Sequence, residues 1–298
     1  MNSKIDVINP GYLVETEWLA AHLADPNIRI FDCTTYLDPD PVNTYSVRSG
    51  VDNWAQGHIP GADYLDLQGE LSDNSSPLRF TAPSTDQFAA AMSRHGVGMD
   101  NHVVLYCTDR IGWATRAWWL LRAFGFDNAS VLNGGLDKWV AEGRTLSKEP
   151  ARYPQARFVA RPRPNLFATK AQVAAATDDA GTCIVNALTE LQHRGEGGVH
   201  YGRPGRIAGS VNVPTRELVD QASNTYLSTT RLAGMFEAVG AVRDRRIIAY
   251  CGGGIAASAS AFVLTLLGYS DVAVYDGSLS EWSKDPMAPM ETGPHPRP

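Results

Sequence analysis

Four cysteines, Cys33, Cys107, Cys183 and Cys251, are the residues of this chain best suited to covalent chemistry. One of them stands in an unusual run, Tyr250-Cys251-Gly252-Gly253-Gly254-Ile255-Ala256. The apolar residues 247–250 before it read as a strand, and residues 256–267 after it as an apolar helix. The end of a strand in an open parallel sheet is where ligands bind. Three glycines there let the backbone pass through positive φ and curl, so that successive amides point inward. Those amides and the helix start near Ala256 make a pocket for negative charge, which favours the nucleophilic thiolate. No bulky side chain is expected to cover the sulfur, so a small substrate has room to approach. A covalent intermediate on Cys251 would be cradled by the N–H groups of Gly252, Gly253, Gly254, Ile255 and Ala256, much as an oxyanion is. The competing reading is a buried cysteine acting as a small hydrophobe in a strand-to-helix turn. A purely structural turn has little use for three glycines, each of which costs conformational entropy.

The elements that position this loop occur twice. Gly57-His58-Ile59-Pro60-Gly61-Ala62 is answered by Gly205-Arg206-Ile207-Ala208-Gly209-Ser210. The run ending in Tyr106-Cys107 is answered by the run ending in Tyr250-Cys251, and the block ending at Trp139 by the block ending at Trp282. The offsets are 148, 144 and 143 residues, read from His58 to Arg206, Cys107 to Cys251 and Trp139 to Trp282. Three ordered blocks at a nearly constant spacing predict two copies of one domain. Short apolar runs at 28–32, 103–106, 183–186 and 247–250 suit buried parallel strands. Helices over 114–124 and 256–267 each run to a glycine, Gly125 or Gly268, suited to a left-handed cap. Further strands follow at 129–132 and 272–275. This alternation predicts an α/β fold: two similar domains, each a mainly parallel sheet with helices on both faces. The proline- and arginine-rich stretch 147–164 disfavours helix and central strand and reads as a linker between domains over 1–146 and 165–298.

Composition bounds the rest. The 298 residues suit about two domains. A hydrophobic content of 44% and a charged content of 19% are ordinary for a globular protein. The 26 basic and 32 acidic residues leave a formal net charge of −6, with no basic block, so neither nucleic acid nor an anionic membrane is expected as a partner. Four cysteines are too few for a disulfide framework, and residues 1–12 lack the apolar core of a signal peptide, so a cytoplasmic location is expected.

Taken together, His58 to Ala62, the loop from Tyr250 to Ala256 and the Asp276-Gly277…Glu281-Trp282 block resemble the two-domain sulfurtransferases of the rhodanese and 3-mercaptopyruvate sulfurtransferase family. The resemblance implies a tandem rhodanese-like fold with a silent first domain and an active second one. It implies that Cys251 takes sulfur from a small anionic donor, 3-mercaptopyruvate or thiosulfate. The persulfide then passes that sulfur to a thiol, to cyanide or to a thioredoxin-like acceptor, with no cofactor. The loop is closer to the family's mercaptopyruvate version, Cys-Gly-Ser-Gly-Val-Thr, than to its thiosulfate version, whose cationic side chains meet a dianion. Gly253 stands where that family has serine, and Ala256 where both versions have threonine, so a serine-based proton relay is absent. The family also draws arginines from the loop after the second domain's first strand. Their positions fall on Leu188 and Gln192, and Asn186 replaces the usual aspartate. Arg194 and Arg203 are the expected substitutes, since the guanidinium fork suits a carboxylate. Cys107, equivalent in position to Cys251, is followed by a loop with a single glycine and by Trp113, and reads as structural. His58 reads as a turn residue or as a catalytic one.

Other classes fit less well. Phosphatases of related fold need an arginine six positions after the cysteine, where this chain has Ala257, or Trp113 after Cys107. A non-catalytic sulfur-binding or regulatory module would not need to keep both the cysteine and three glycines. His193 and His200 do not suggest a ligand pair, and no metal is expected.

Overall fold

The computed structural model describes residues 9–40 and 44–294. In the first half the strands are β1 (Leu13–Val14), β2 (Ile28–Asp32), β3 (Thr35–Asp40), β4 (Thr44–Ser49), β5 (Ala62–Tyr64), β6 (His102–Tyr106) and β7 (Ala129–Leu132). Its helices are α1 (Thr16–Ala21), α2 (Val51–Gln56), α3 (Thr85–Arg94), α4 (Gly112–Ala123) and α5 (Gly135–Ala141). The second half has β8 (Phe167–Ala168), β9 (Thr182–Asn186), β10 (Arg206–Ile207), β11 (Val211–Asn212), β12 (Arg246–Tyr250), β13 (Val272–Tyr275) and β14 (Met290–Glu291). Its helices are α6 (Lys170–Ala176), α7 (Glu190–Arg194), α8 (Thr229–Glu237), α9 (Ile255–Leu266) and α10 (Ser278–Trp282).

The repeat is visible in the topology. One five-stranded sheet runs β5-β2-β6-β7-β1 and the other β11-β9-β12-β13-β8, with every pairing parallel. The middle strand of each, β6 or β12, ends in a buried tyrosine followed at once by a cysteine, Cys107 or Cys251. In register, Tyr106 pairs with Asp32 and Tyr250 with Asn186. The helix after each cysteine closes on a glycine of left-handed φ, 88° at Gly125 and 87° at Gly268. There the next amide bonds back to Leu121 or Leu264, which satisfies a terminal carbonyl.

The two halves share one interior. Helices α4 and α9 are nearly wholly buried and pack on each other across the domain boundary. Trp118 meets Phe262 edge to face with ring centroids 4.9 Å apart, and a side chain on Gly112 would press within 3.1 Å of Ile255 Cγ2. A single apolar cluster runs from Phe31 in the first sheet to Trp282 in the second half. The stretch 148–163 between the halves carries no helix or strand. Among the described residues no helix is long and apolar enough to cross a membrane.

Candidate active site

The end of β12 opens into a cleft of about 1160 Å³ between the two halves. Cys251, Gly252, Gly253, Ile255 and Ala256 line it from the second half, and the segment 77–80, residues 109–113 and Tyr45 line it from the first. Cys251 itself is only 3% exposed. The expectation of an uncovered sulfur therefore needs correction. Tyr201, far from the loop in sequence, packs against it, and a Cβ on Gly252 would collide with the hydroxyl-bearing end of its ring.

The three glycines do different jobs. Only Gly254 takes positive φ, 84°, as the residue preceding α9. A Cβ there would also come within 2.8 Å of Asp276 Oδ1. Gly252 is needed for close approach to Tyr201 rather than for a left-handed turn. Around Gly253 the nearest atoms to such a Cβ are Ser280 Oγ at 3.8 Å and the Arg79 carbonyl at 4.0 Å, so a small side chain would fit.

Two of the loop amides face away from any ligand. Ser278 Oγ accepts from the amides of Cys251 (3.1 Å) and Gly254 (3.2 Å) while donating to the Tyr275 carbonyl (2.7 Å). Ser278 is held at φ 48°, a strained position for a residue with a Cβ. Its counterpart in the first half, Gly135, has φ 56° and no side chain to offer. The amides of Gly252, Gly253, Ile255 and Ala256 have no acceptor among the described residues.

The loop after Cys107 is filled from within. The Thr108 amide donates to Thr34 Oγ1 and the Asp109 amide to Asp137 Oδ2, while the Cys107 thiol donates to the Arg110 carbonyl at 2.9 Å. Burial pushes the Cys107 thiol far above the ordinary thiol range, and Trp113 is packed in beside it.

The first half also braces the second. Arg116, on α4, is 1% exposed and places Nη1 2.7 Å from Asp276 Oδ1, close but out of hydrogen-bond line, while Nη2 donates to the Phe80 carbonyl at 2.5 Å. Asp276 Oδ2 accepts the Ala82 amide at 2.7 Å. The segment 79–82 is thereby pinned beside the cysteine loop.

Neither Arg194 nor Arg203 lines the cleft, contrary to the sequence expectation. Arg194 pairs with Glu190 one turn away on α7. Arg203 spends its guanidinium on the carbonyls of Ser283, Asp285 and Ala288, fixing the C-terminal turn. Leu188 and Gln192 do line the cleft, uncharged. Its cations are Arg79 and Arg110 from the first half and Arg216 and Lys284 from the second. His58 is fully buried, with Nδ1 2.8 Å from the Trp54 carbonyl and Nε2 3.0 Å from the Glu149 carbonyl, and takes no part in the cleft. Asn186 does for its turn what Asp32 does in the first half: Oδ1 accepts the Leu188 amide at 3.0 Å, as Asp32 Oδ1 accepts the Thr34 amide. Tyr201, Ser278, Arg79, Arg110 and Arg116 escaped the sequence reading. Only the Asp-Gly-Ser block around Ser278 carried a signal that could have found one of them.

Known proteins match this architecture throughout. The family model for the rhodanese-like domain matches residues 15–142 and again 170–285. The chain is 33% identical over 284 residues to 3-mercaptopyruvate sulfurtransferase of Escherichia coli strain K12, covering 94% of this chain and 98% of that protein. It is 33% identical over 289 residues to thiosulfate sulfurtransferase of Bos taurus, covering 94% of each. The crystal structure of SseA from Escherichia coli, a 3-mercaptopyruvate sulfotransferase of rhodanese fold, aligns with a TM-score of 0.79 at 33% identity, over 91% of this chain and 99% of that one. This chain therefore belongs to the rhodanese-like family, as a sulfurtransferase built of two tandem rhodanese-like domains.

Proposed function

We propose that Cys251 is the sulfur-carrying nucleophile and that 3-mercaptopyruvate is preferred to thiosulfate as donor. The thiolate attacks the donor's sulfur, an S–S bond forms on Sγ, and the bond from that sulfur to the rest of the donor breaks. A thiol, cyanide or a thioredoxin-like protein then attacks the outer sulfur, and Cys251 leaves as thiolate, so each cycle ends as it began. The observation that carries this reading is the contrast between the two cysteine loops. The amides of Gly252, Gly253, Ile255 and Ala256 are open to a charged guest, whereas those after Cys107 are occupied by the protein's own side chains. The preference for mercaptopyruvate rests on a cysteine loop with no cation of its own, which ill suits a dianion. The free state of all four cysteines suits a reducing compartment such as the cytoplasm.

Cys251→Ser is expected to abolish sulfur transfer from both donors. Intact-peptide mass spectrometry after donor treatment should find one added sulfur on the Cys251 peptide and none on the Cys107 peptide. Turnover in the serine variant, or sulfur on both peptides, would overturn the assignment. Side-by-side kinetics with the two donors tests the preference.

A further inference from the structure

Tyr201 is built into the cleft with unusual care for a loop residue. Its carbonyl accepts Ser283 Oγ at 3.0 Å. The next residue, Gly202, stands at φ 145° with no room for a side chain against Ser283. Its ring rests on Gly252, one residue beyond Cys251, and faces Tyr45 with centroids 6.5 Å apart. Its hydroxyl has no hydrogen-bond partner among the described residues. Burial, then the neighbouring Cys251 charge and Tyr45, push the phenol well above its ordinary range, against a smaller opposing pull from Arg110. At neutral pH it is therefore an O–H donor beside the nucleophile with no acceptor among the described residues.

We propose that the Tyr201 hydroxyl is a catalytic hydrogen-bond donor to the carbonyl oxygen of a 3-mercapto-2-oxo acid. This inference rests on the persulfide reading of Cys251. As the Cys251 thiolate attacks the mercapto sulfur, the Sγ–S bond forms and the S–C3 bond breaks. The S–C3 electron pair becomes the enolate of the 2-oxo acid, the mercapto proton stays on the persulfide, and the enolate then takes a proton from water at C3. Negative charge therefore grows on the carbonyl oxygen only as the bond breaks, and a fixed donor there stabilises the transition state more than the bound substrate. Such a donor would take over the stabilising part that the missing loop serine cannot play.

Tyr201→Phe removes the hydroxyl while keeping the ring on Gly252. The expected result is a fall in kcat of roughly 10²-fold with 3-mercaptopyruvate, in the range for loss of one oxyanion donor, with KM nearly unchanged. Transfer from thiosulfate and from inorganic polysulfide, which leave no enolate, should stay within about twofold of wild type, a shift of less than half a kcal/mol. Retention of those two activities also reports an intact fold. Equal losses on all donors, or no loss with 3-mercaptopyruvate, would overturn the role. A wild-type protein that forms no persulfide on Cys251 would instead defeat the underlying reading, and this inference with it.

Discussion

Replacing Arg116 by methionine measures how far the cysteine loop leans on the first domain. The Arg116 side chain is 1% exposed and that of Asp276 14%. Methionine fills much of the same space but leaves Asp276 Oδ1 a desolvated charge with no cation and strips the Phe80 carbonyl of its donor. Removing one partner of a buried pair costs about 3–5 kcal/mol. The two groups are close but poorly aligned, and Asp276 Oδ2 keeps the Ala82 amide, so the lower end applies, about 3 kcal/mol. At roughly 1.5–2 °C per kcal/mol for a chain of nearly 300 residues, Tm should fall by roughly 5–6 °C. Adding Asp276→Asn removes the stranded charge and should restore most of the loss, a non-additivity that marks direct coupling. Differential scanning calorimetry on wild type, single and double variants reads all three values. A single variant within about 1 kcal/mol of wild type, or a double variant no better than the single, refutes the idea of a desolvated charge at this site.

Two further expectations concern stability. Ser278→Ala removes the acceptor shared by the Cys251 and Gly254 amides and should cost about 1–3 kcal/mol in urea unfolding. Ser278→Gly should cost less, because glycine relieves the φ of 48°, and equal costs would mean that strain plays no part. The third lies at His95, whose ring nitrogens meet Asp63 (2.7 Å) and Glu70 (2.9 Å). Burial opposes its charge, but the two carboxylates prevail and raise its pKa from 6.5 to about 9, while His95 holds Glu70 below its usual 4.5. The raised group stabilises the fold fully below pH 6.5, and that contribution is lost as pH climbs through about 9. The lowered Glu70 contributes above pH 4.5 and loses its share in more acidic solution. Wild type should thus lose about 3 kcal/mol between pH 6.5 and 9. His95→Gln should be nearly flat over that window, and a parallel decline in both proteins contradicts the assignment.

The repeat, the strand order's parallel character and the helix ends were legible because each rests on local pattern: apolar runs, a fixed offset, and glycines where helices stop. The cysteine loop was legible for the same reason, since its residues are contiguous. What surrounds it was not. Tyr201 reaches Gly252 through an irregular loop with no periodicity, and Arg79, Arg110 and Arg116 arrive from the other domain, whose approach no local pattern encodes. Arg203 misled because a loop arginine looks available to a ligand in sequence, while three carbonyls of the C-terminal turn claim it in the fold. The glycines misled more gently. The run suggests a curl through positive φ without saying where, and only Gly254 takes it, whereas Gly252 is small to admit an aromatic ring.

The shared interior beneath α4 and α9 bears on the history of such a chain. A duplicated gene whose first copy loses its chemistry would ordinarily be free to shed it. Here deletion of the first copy would bare Phe262 and the α4-facing side of α9 to water, and would take away Arg116 along with the segment carrying Arg79. The second copy is not a complete molecule without the first, whatever chemistry the first retains.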